Sequence, residues 1–177
     1  MHDKEELTQK RLRELLYYES TSGNFLWVAK SSPKSNYIKI GDIAGSRDNG
    51  CIRIKVHKKS YLAHRLVWLY VYGKFPEKLL DHVDGNRSNN KVDNLREATS
   101  AQNTLNQRLR VSNTSGFKGV SKQGEVDKWR AYCSVNGEII YLWLYDTPEE
   151  AGHIREEFAK KNHGEFYRDT TKEGVKT

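Results

Sequence analysis

Residues 79–103 read LLDHVDGNRSNNKVDNLREATSAQN, and the fold turns on how this stretch is read. Leu79-Leu80-Asp81-His82-Val83 predicts a strand, and Leu95-Arg96-Glu97-Ala98 predicts a second one. Between them, DGNRSNNK (84–91) consists of residues whose side chains close turns on their own backbone, so it predicts a polar loop. Thr99 or Ser100 then caps a helix running to about Leu109, with Thr99 and Gln102 at capping-box spacing. A strand, loop, strand and helix in this order bring Asp81, His82 and Asn103 together.

These residue types suit phosphodiester chemistry. One carboxylate (Asp81) and one amide oxygen (Asn103), with water and a substrate phosphate, make an octahedral shell for Mg²⁺, with Mn²⁺ as a substitute. His82 titrates near physiological pH and can take a proton from water. Asn94 is placed to hold the imidazole, by side chain or backbone carbonyl, although Asn86, Asn89 and Asn90 compete with it for that role. Adjacent strand residues point to opposite faces, so Asp81 and His82 meet at one spot only if the strand end bends. DHVDGN also echoes an EF-hand loop, but the alternating acidic spacing and the distal Glu are missing.

Charge points the same way. The 177 residues hold 30 Lys plus Arg against 23 Asp plus Glu, a net charge of +7. Nine basic side chains and only four acidic ones fall in residues 86–130, which reads as a phosphate-binding track or as a solvated face. Cys51 and Cys133 are far apart and no CxxC pair exists, so no structural zinc is expected and both thiols read as buried and free. Neither a secretory signal nor a long apolar run is seen, which predicts a soluble, intracellular protein without membrane contact.

Outward from the central stretch, Leu7, Leu12, Leu15 and Leu16 predict a helix over 4–18, followed by a strand at Phe25–Val28. Residues 51–57 alternate as a strand, with Ile52, Ile54 and Val56 on one face. AHRLVWLYVY (63–72) predicts a helix ended by Gly73. After a linker at 111–116, Phe117–Ser121, Lys128–Asn136 and Glu138–Tyr145 predict three strands, with Asn136-Gly137 as the hairpin turn. Thr147-Pro148 opens a last helix to about Asn162.

AHRLVW together with the 79–103 string resembles the H-N-H homing endonucleases of phages, over roughly residues 61–108. The resemblance implies a ββα-metal (His-Me finger) core in an α+β fold, with an N-terminal α/β segment before it and a three-stranded antiparallel sheet plus helix after it. It implies cleavage of double-stranded DNA to 5′-phosphate and 3′-hydroxyl ends, one strand nicked per active site, by a monomer or homodimer in a phage-infected bacterium. By position, His82 is then the general base, Asn94 its orienting residue, and Asp81 and Asn103 the metal ligands. The last of the three family positions holds Asn here, as in many nicking members. His64 matches the family's upstream His-Arg pair and reads more readily as structural than catalytic.

SGFKGVS, KWRA, the Asn-Gly hairpin and YLWLYDTPEEA resemble the plant ethylene-response-factor (APETALA-type) DNA-binding domain. That likeness implies a sheet face against DNA carrying Lys118, Ser121, Gln123, Arg130, Tyr132, Ser134 and Tyr141. Several of the plant family's arginines are replaced, so its base sequence does not transfer. Arg87, Lys91, Arg96 and Arg108 extend the expected DNA track. The expected organisation is 1–60 N-terminal segment, 61–110 nuclease module, 111–116 linker, 117–168 DNA-binding unit and 169–177 tail. Residues 1–60 resemble the N-terminal segment of such phage enzymes, and Arg53, Lys55, Lys58 and Lys59 read as extra DNA contacts or a solvated strand face. A DNA-binding regulator with an inactive nuclease core is the alternative.

Overall fold

α1 covers Gln9–Leu15 and is capped by Thr8, whose side chain accepts from the Arg11 N–H. Leu16 leaves the helix with φ −134° and ψ 136°, and Leu16–Glu19 is a strand, β1. The helix expected over 4–18 therefore ends early, and residues 4–6 lie outside those described. The computed structural model describes residues 7–30, 38–107, 109 and 112–168. Leu16 and Tyr18 are buried while Tyr17 is exposed, so a two-residue period takes over where the leucine pattern alone predicts more helix. β1 pairs antiparallel with β2 (Asn24–Trp27), setting Tyr18 opposite Phe25.

A three-stranded antiparallel sheet follows: β3 (Ser46–Asp48), β4 (Cys51–Val56) and β5 (Lys59–Leu62), in spatial order β3-β4-β5. Ile54 and Val56 are buried, whereas Cys51, at the start of β4, is only half-buried, against the expectation of a buried thiol. α2 (Ala63–Tyr72) ends at Gly73, whose left-handed φ of 78° lets its N–H bond the Leu69 carbonyl. Leu66, Val67 and Leu69 of α2 join Leu12, Leu15, Leu16, Phe25, Ile54 and Val56 in one apolar core.

β6 (Leu79–His82) and β7 (Leu95–Ala98) form a two-stranded antiparallel ribbon, and Leu95 belongs to that same core. α3 (Ser100–Leu105) carries the full Thr99–Gln102 capping box but stops at the Asn106 cap, short of Leu109. β6, β7 and α3 thus follow one another in ββα order. The chain divides into two units, one ending at Ala98 and one beginning at Thr99.

In the second unit β8 (Val120–Gln123), β9 (Lys128–Val135) and β10 (Glu138–Tyr145) form an antiparallel sheet in the order β10-β9-β8. β8 starts later than Phe117. Gly119 comes so close to β9 that a Cβ there would lie 2.3 Å from the Tyr132 carbonyl oxygen, and its φ is +70°. Asn136 and Gly137 both have positive φ, 52° and 90°, as a two-residue hairpin turn requires. α4 (Pro148–Asn162), with Thr147 as N-cap, covers one sheet face. Val120, Ala131 and Ala151 are buried there, with Phe117, Trp129, Leu142 and Tyr145 packed around them.

The Phe25 ring is 1% exposed and meets Tyr18 and Tyr70 with centroids 5.3 and 5.7 Å away. Phe25→Ala is expected to destabilise this unit by about 3–5 kcal/mol. Urea unfolding followed by tryptophan fluorescence measures it, and a change below about 1 kcal/mol would contradict this description of the core.

Candidate active site

Asp81 and His82 close β6 as neighbours, and the chain turns directly after them, the Gly85 N–H bonding the His82 carbonyl at 2.7 Å. Asp81 lies opposite Arg96 of β7 and His82 opposite Leu95. Directly opposite residues share a face, so the Asp81 carboxylate meets the Arg96 guanidinium. Its Oδ2 accepts from Arg96 Nε at 3.0 Å and Nη2 at 2.8 Å. Both side chains are largely shielded, at 4% and 16% exposure, and the ion pair compensates a charge that is costly to bury alone. Arg96, expected on the DNA track, is therefore engaged within the ribbon.

His82, also buried, stands edge-on to the His64 ring of α2, with centroids 5.0 Å apart and planes at 87°. Its Nε2 lies 3.3 Å from Asn90 Oδ1. Burial pushes the His82 pKa below 6.5, against the Asn90 hydrogen bond and the Asp84 and Asp81 charges, which raise it. The imidazole is thereby kept neutral and able to accept a proton.

Asn94, expected to orient the imidazole, also shapes the loop. Its carbonyl accepts from the Val83 N–H at 2.9 Å, and its side chain turns onto the loop. Oδ1 accepts from the Asp84 N–H at 3.0 Å, and Nδ2 donates to Asp84 Oδ1 at 3.0 Å and to the Asn89 carbonyl at 2.9 Å. Asp84 also accepts from the Asn86 N–H and from Asn89 Nδ2. Burial would raise the Asp84 pKa, but the hydrogen bonds from Asn89, Asn86 and Asn94 outweigh it and hold the carboxyl below its usual range. Asn90, 2% exposed, reaches the imidazole with its side chain. It is one of four asparagines in the loop with equal claim on composition, and only the turn geometry separates them.

Asn103 lies on α3, where its N–H bonds the Thr99 carbonyl in the first turn. A carboxylate and an amide are hard oxygen donors, which suits Mg²⁺ or Mn²⁺ and not zinc. No group of three or more His, Cys, Asp or Glu placed to hold a metal occurs among the described residues.

The remaining expected DNA contacts separate into engaged and available groups. Lys118 Nζ donates to the carbonyls of Thr104, Leu105 and Gln107, tying the end of α3 to the start of the sheet unit. The Ser134 carbonyl lies 2.9 Å from His163 Nε2. Arg87 and Lys91 are exposed on the loop, and Arg108 lies outside the described residues. On the sheet, Arg130 stacks over Tyr141 at 5.2 Å, and Tyr132 lies opposite Tyr141. Ser121 faces Arg130 across the strands. Ser121 Oγ and Arg130 Nε are both buried without a hydrogen-bond partner. Gln123, Arg130, Tyr141, Trp143 and Leu144 line an open hollow of about 430 Å³. Trp143 is missing from the sequence-based set. It is 83% exposed and adopts φ 88° at a β-bulge, a conformation that favours glycine.

The chain matches the HNH endonuclease family model over residues 61–105. Protein 3.8 of Escherichia phage T7 is 33% identical over 128 residues, 64% of this chain and 97% of that protein. An uncharacterized HNH endonuclease of Acanthamoeba polyphaga mimivirus is 36% identical over 105 residues, 58% of this chain and 54% of the relative. DNA endonuclease I-HmuI of Bacillus phage SP01 is 34% identical over 97 residues, 54% of this chain and 47% of the relative. The chain thus spans about half the length of these last two relatives. No solved structure matches it.

His64 gives the site a pH signature. Burial, then the nearby His82 and Arg65, push its pKa down to about 4 from 6.5, and its Nδ1 has no hydrogen-bond partner. Below pH 6.5 the unfolded chain takes up a proton that the folded chain refuses, so stability is full above 6.5 and falls as pH drops toward 4. This histidine alone accounts for about 2–3 kcal/mol between pH 7 and 4.5. Urea midpoints at the two pH values should differ less in His64→Leu than in wild type; equal differences would remove His64 as the source.

Proposed function

Since this chain belongs to the HNH endonuclease family and is a DNA-cleaving hydrolase, we propose that it acts as a homing-type nicking enzyme with His82 as its general base. The observation that carries this reading is the His82 imidazole itself, kept neutral by burial at the end of β6 and held by Asn90.

In the proposed reaction His82 accepts a proton from water, whose oxygen bonds to phosphorus as the P–O3′ bond breaks and the 3′ oxygen takes a proton from solvent water. The products are 5′-phosphate and 3′-hydroxyl ends. Asp81 and Asn103 are the residues that would hold the divalent ion typical of the family, Mg²⁺ or Mn²⁺, which when bound neutralises charge developing on the phosphate and the leaving oxygen. Arg96 fixes the Asp81 carboxylate on its face of the ribbon. Asn94 sets the course of the loop, and Arg87 and Lys91 supply exposed positive charge on it. One such site per chain cuts one strand; a duplex break needs a dimer or two events.

For the second unit we propose DNA binding through the sheet face opposite α4, in the manner of the ethylene-response-factor fold. The orphaned Ser121 Oγ and Arg130 Nε support it, since buried polar groups are rarely left without partners. The exposed Tyr141 and Trp143 give the same face flat apolar area for bases or sugars.

His82→Ala is expected to lower single-turnover cleavage by about 10²–10⁴-fold while DNA affinity stays within about twofold of wild type. Chelation by EDTA should abolish cleavage and Mg²⁺ should restore it. Cleavage by His82→Ala at the wild-type rate would end the general-base assignment. DNA binding without any cleavage by the wild-type chain would favour the regulator.

A further inference from the structure

The N-terminal hairpin reaches the imidazole through two residues that carry no assigned role. Tyr18 of β1 is 7% exposed, packed against Phe25 and Tyr70 at 5.3 and 5.8 Å between centroids. Its hydroxyl donates to the Asn90 carbonyl at 3.0 Å and accepts from the Val92 N–H at 3.0 Å. One phenol thus satisfies two backbone groups on either side of Lys91. The tip of the same hairpin touches the same peptide: a Cβ on Gly23, at φ +78°, would lie 2.6 Å from the Lys91 nitrogen and 2.8 Å from the Asn90 carbonyl carbon. The Asn90 backbone is therefore held from two directions, by a hydroxyl and by a close approach that only glycine allows.

What Asn90 does from that position follows from its donor chemistry. A carbonyl oxygen can only accept a hydrogen bond. Oδ1 at 3.3 Å from His82 Nε2 thus gives the buried imidazole a polar contact that sets the angle of its ring. We propose that Asn90 and Tyr18 are positioning residues of the nuclease: Asn90 holds the angle of the His82 ring, and Tyr18 holds Asn90. The N-terminal segment then contributes to turnover as well as to the core. This inference rests on His82 acting as the general base.

The test uses the full chain, Mg²⁺ and a DNA fragment that the wild type cuts. Single-turnover rates are normalised to the DNA-binding-competent fraction, and affinity is measured in EDTA. Tyr18→Phe keeps the ring and removes both hydroxyl bonds. Asn90→Leu removes the acceptor, and Asn90→Asp keeps one. Tyr18→Phe and Asn90→Leu are expected to lower the normalised rate on the order of 10–100-fold with affinity within about twofold, because displacement of a catalytic group falls on the rate. Asn90→Asp should recover part of the loss. Wild-type normalised rates in both Tyr18→Phe and Asn90→Leu, in a chain where His82→Ala is inactive, overturn the positioning roles and leave the base assignment standing. An active His82→Ala overturns both. Equal losses in Asn90→Asp and Asn90→Leu reduce Asn90 to packing and also count against the proposal. If Tyr18→Phe does not fold, the Asn90 pair decides the matter alone.

Discussion

The Asp84 carboxylate is the cross-link on which the site depends. The loop at 84–91 has no apolar side chain to bury, so its course is set chiefly by hydrogen bonds. Asp84 gathers them: the Asn86 N–H, Asn89 Nδ2 and Asn94 Nδ2 all donate to it. Asn94 returns the contact by accepting from the Asp84 N–H and bridging to the Asn89 carbonyl. Joining the first and last turns of the loop in this way fixes the middle, where Asn90 must meet a buried imidazole. A carboxylate acting as acceptor for several donors is also what keeps Asp84 ionised, so the cross-link is strongest at the pH where the imidazole is neutral.

A two-stranded ribbon of four residues per strand is marginal in water. β6 and β7 persist because Leu95 is part of the core built by α1, β1, β2, β4 and α2. The ribbon's other face carries the Asp81–Arg96 pair. Further contacts come from earlier in the chain: Tyr18 to Asn90 and Val92, Gly23 against Lys91, and Ser88 Oγ to the Gly50 carbonyl. The described residues of the first 60 are thus part of the platform of the ribbon, which explains why sequence reading finds no chemistry of their own in them. Their contribution is made through backbone groups of a distant loop, and no local pattern encodes that.

The order of the elements around the site is written in plain patterns. Apolar pairs at 79–80, the Asp/Gly/Asn loop, the Thr99–Gln102 capping box and the Asn136-Gly137 turn each name a local structure with one dominant solution. Side-chain partners are far less legible. Which asparagine touches His82 depends on the handedness of successive turns. Arg96 is recognisable as a partner of Asp81 only once the register places them opposite each other. Leu16 fits helix and strand equally, and the pairing available with Trp27 decides it. Trp143 stands at a positive φ that composition would assign to glycine, so neither pattern nor propensity points to it.

Counting charges overstates the DNA track for the same reason. Arg96 answers a buried carboxylate, and Lys118 answers the carbonyls at the end of α3, where a cation also complements the helix terminus. Lys122 and Lys128 have acidic partners, Asp127 and Asp146. Exposed ion pairs of this kind are weak, so phosphate can displace the carboxylate at little cost, whereas Arg96 cannot leave Asp81 without stranding a buried charge. The affinity of the sheet for a polyanion is therefore governed less by how many lysines and arginines it carries than by how exposed their present partners are. By that measure Arg130, stacked on Tyr141 with an orphaned Nε, outranks every lysine on the sheet.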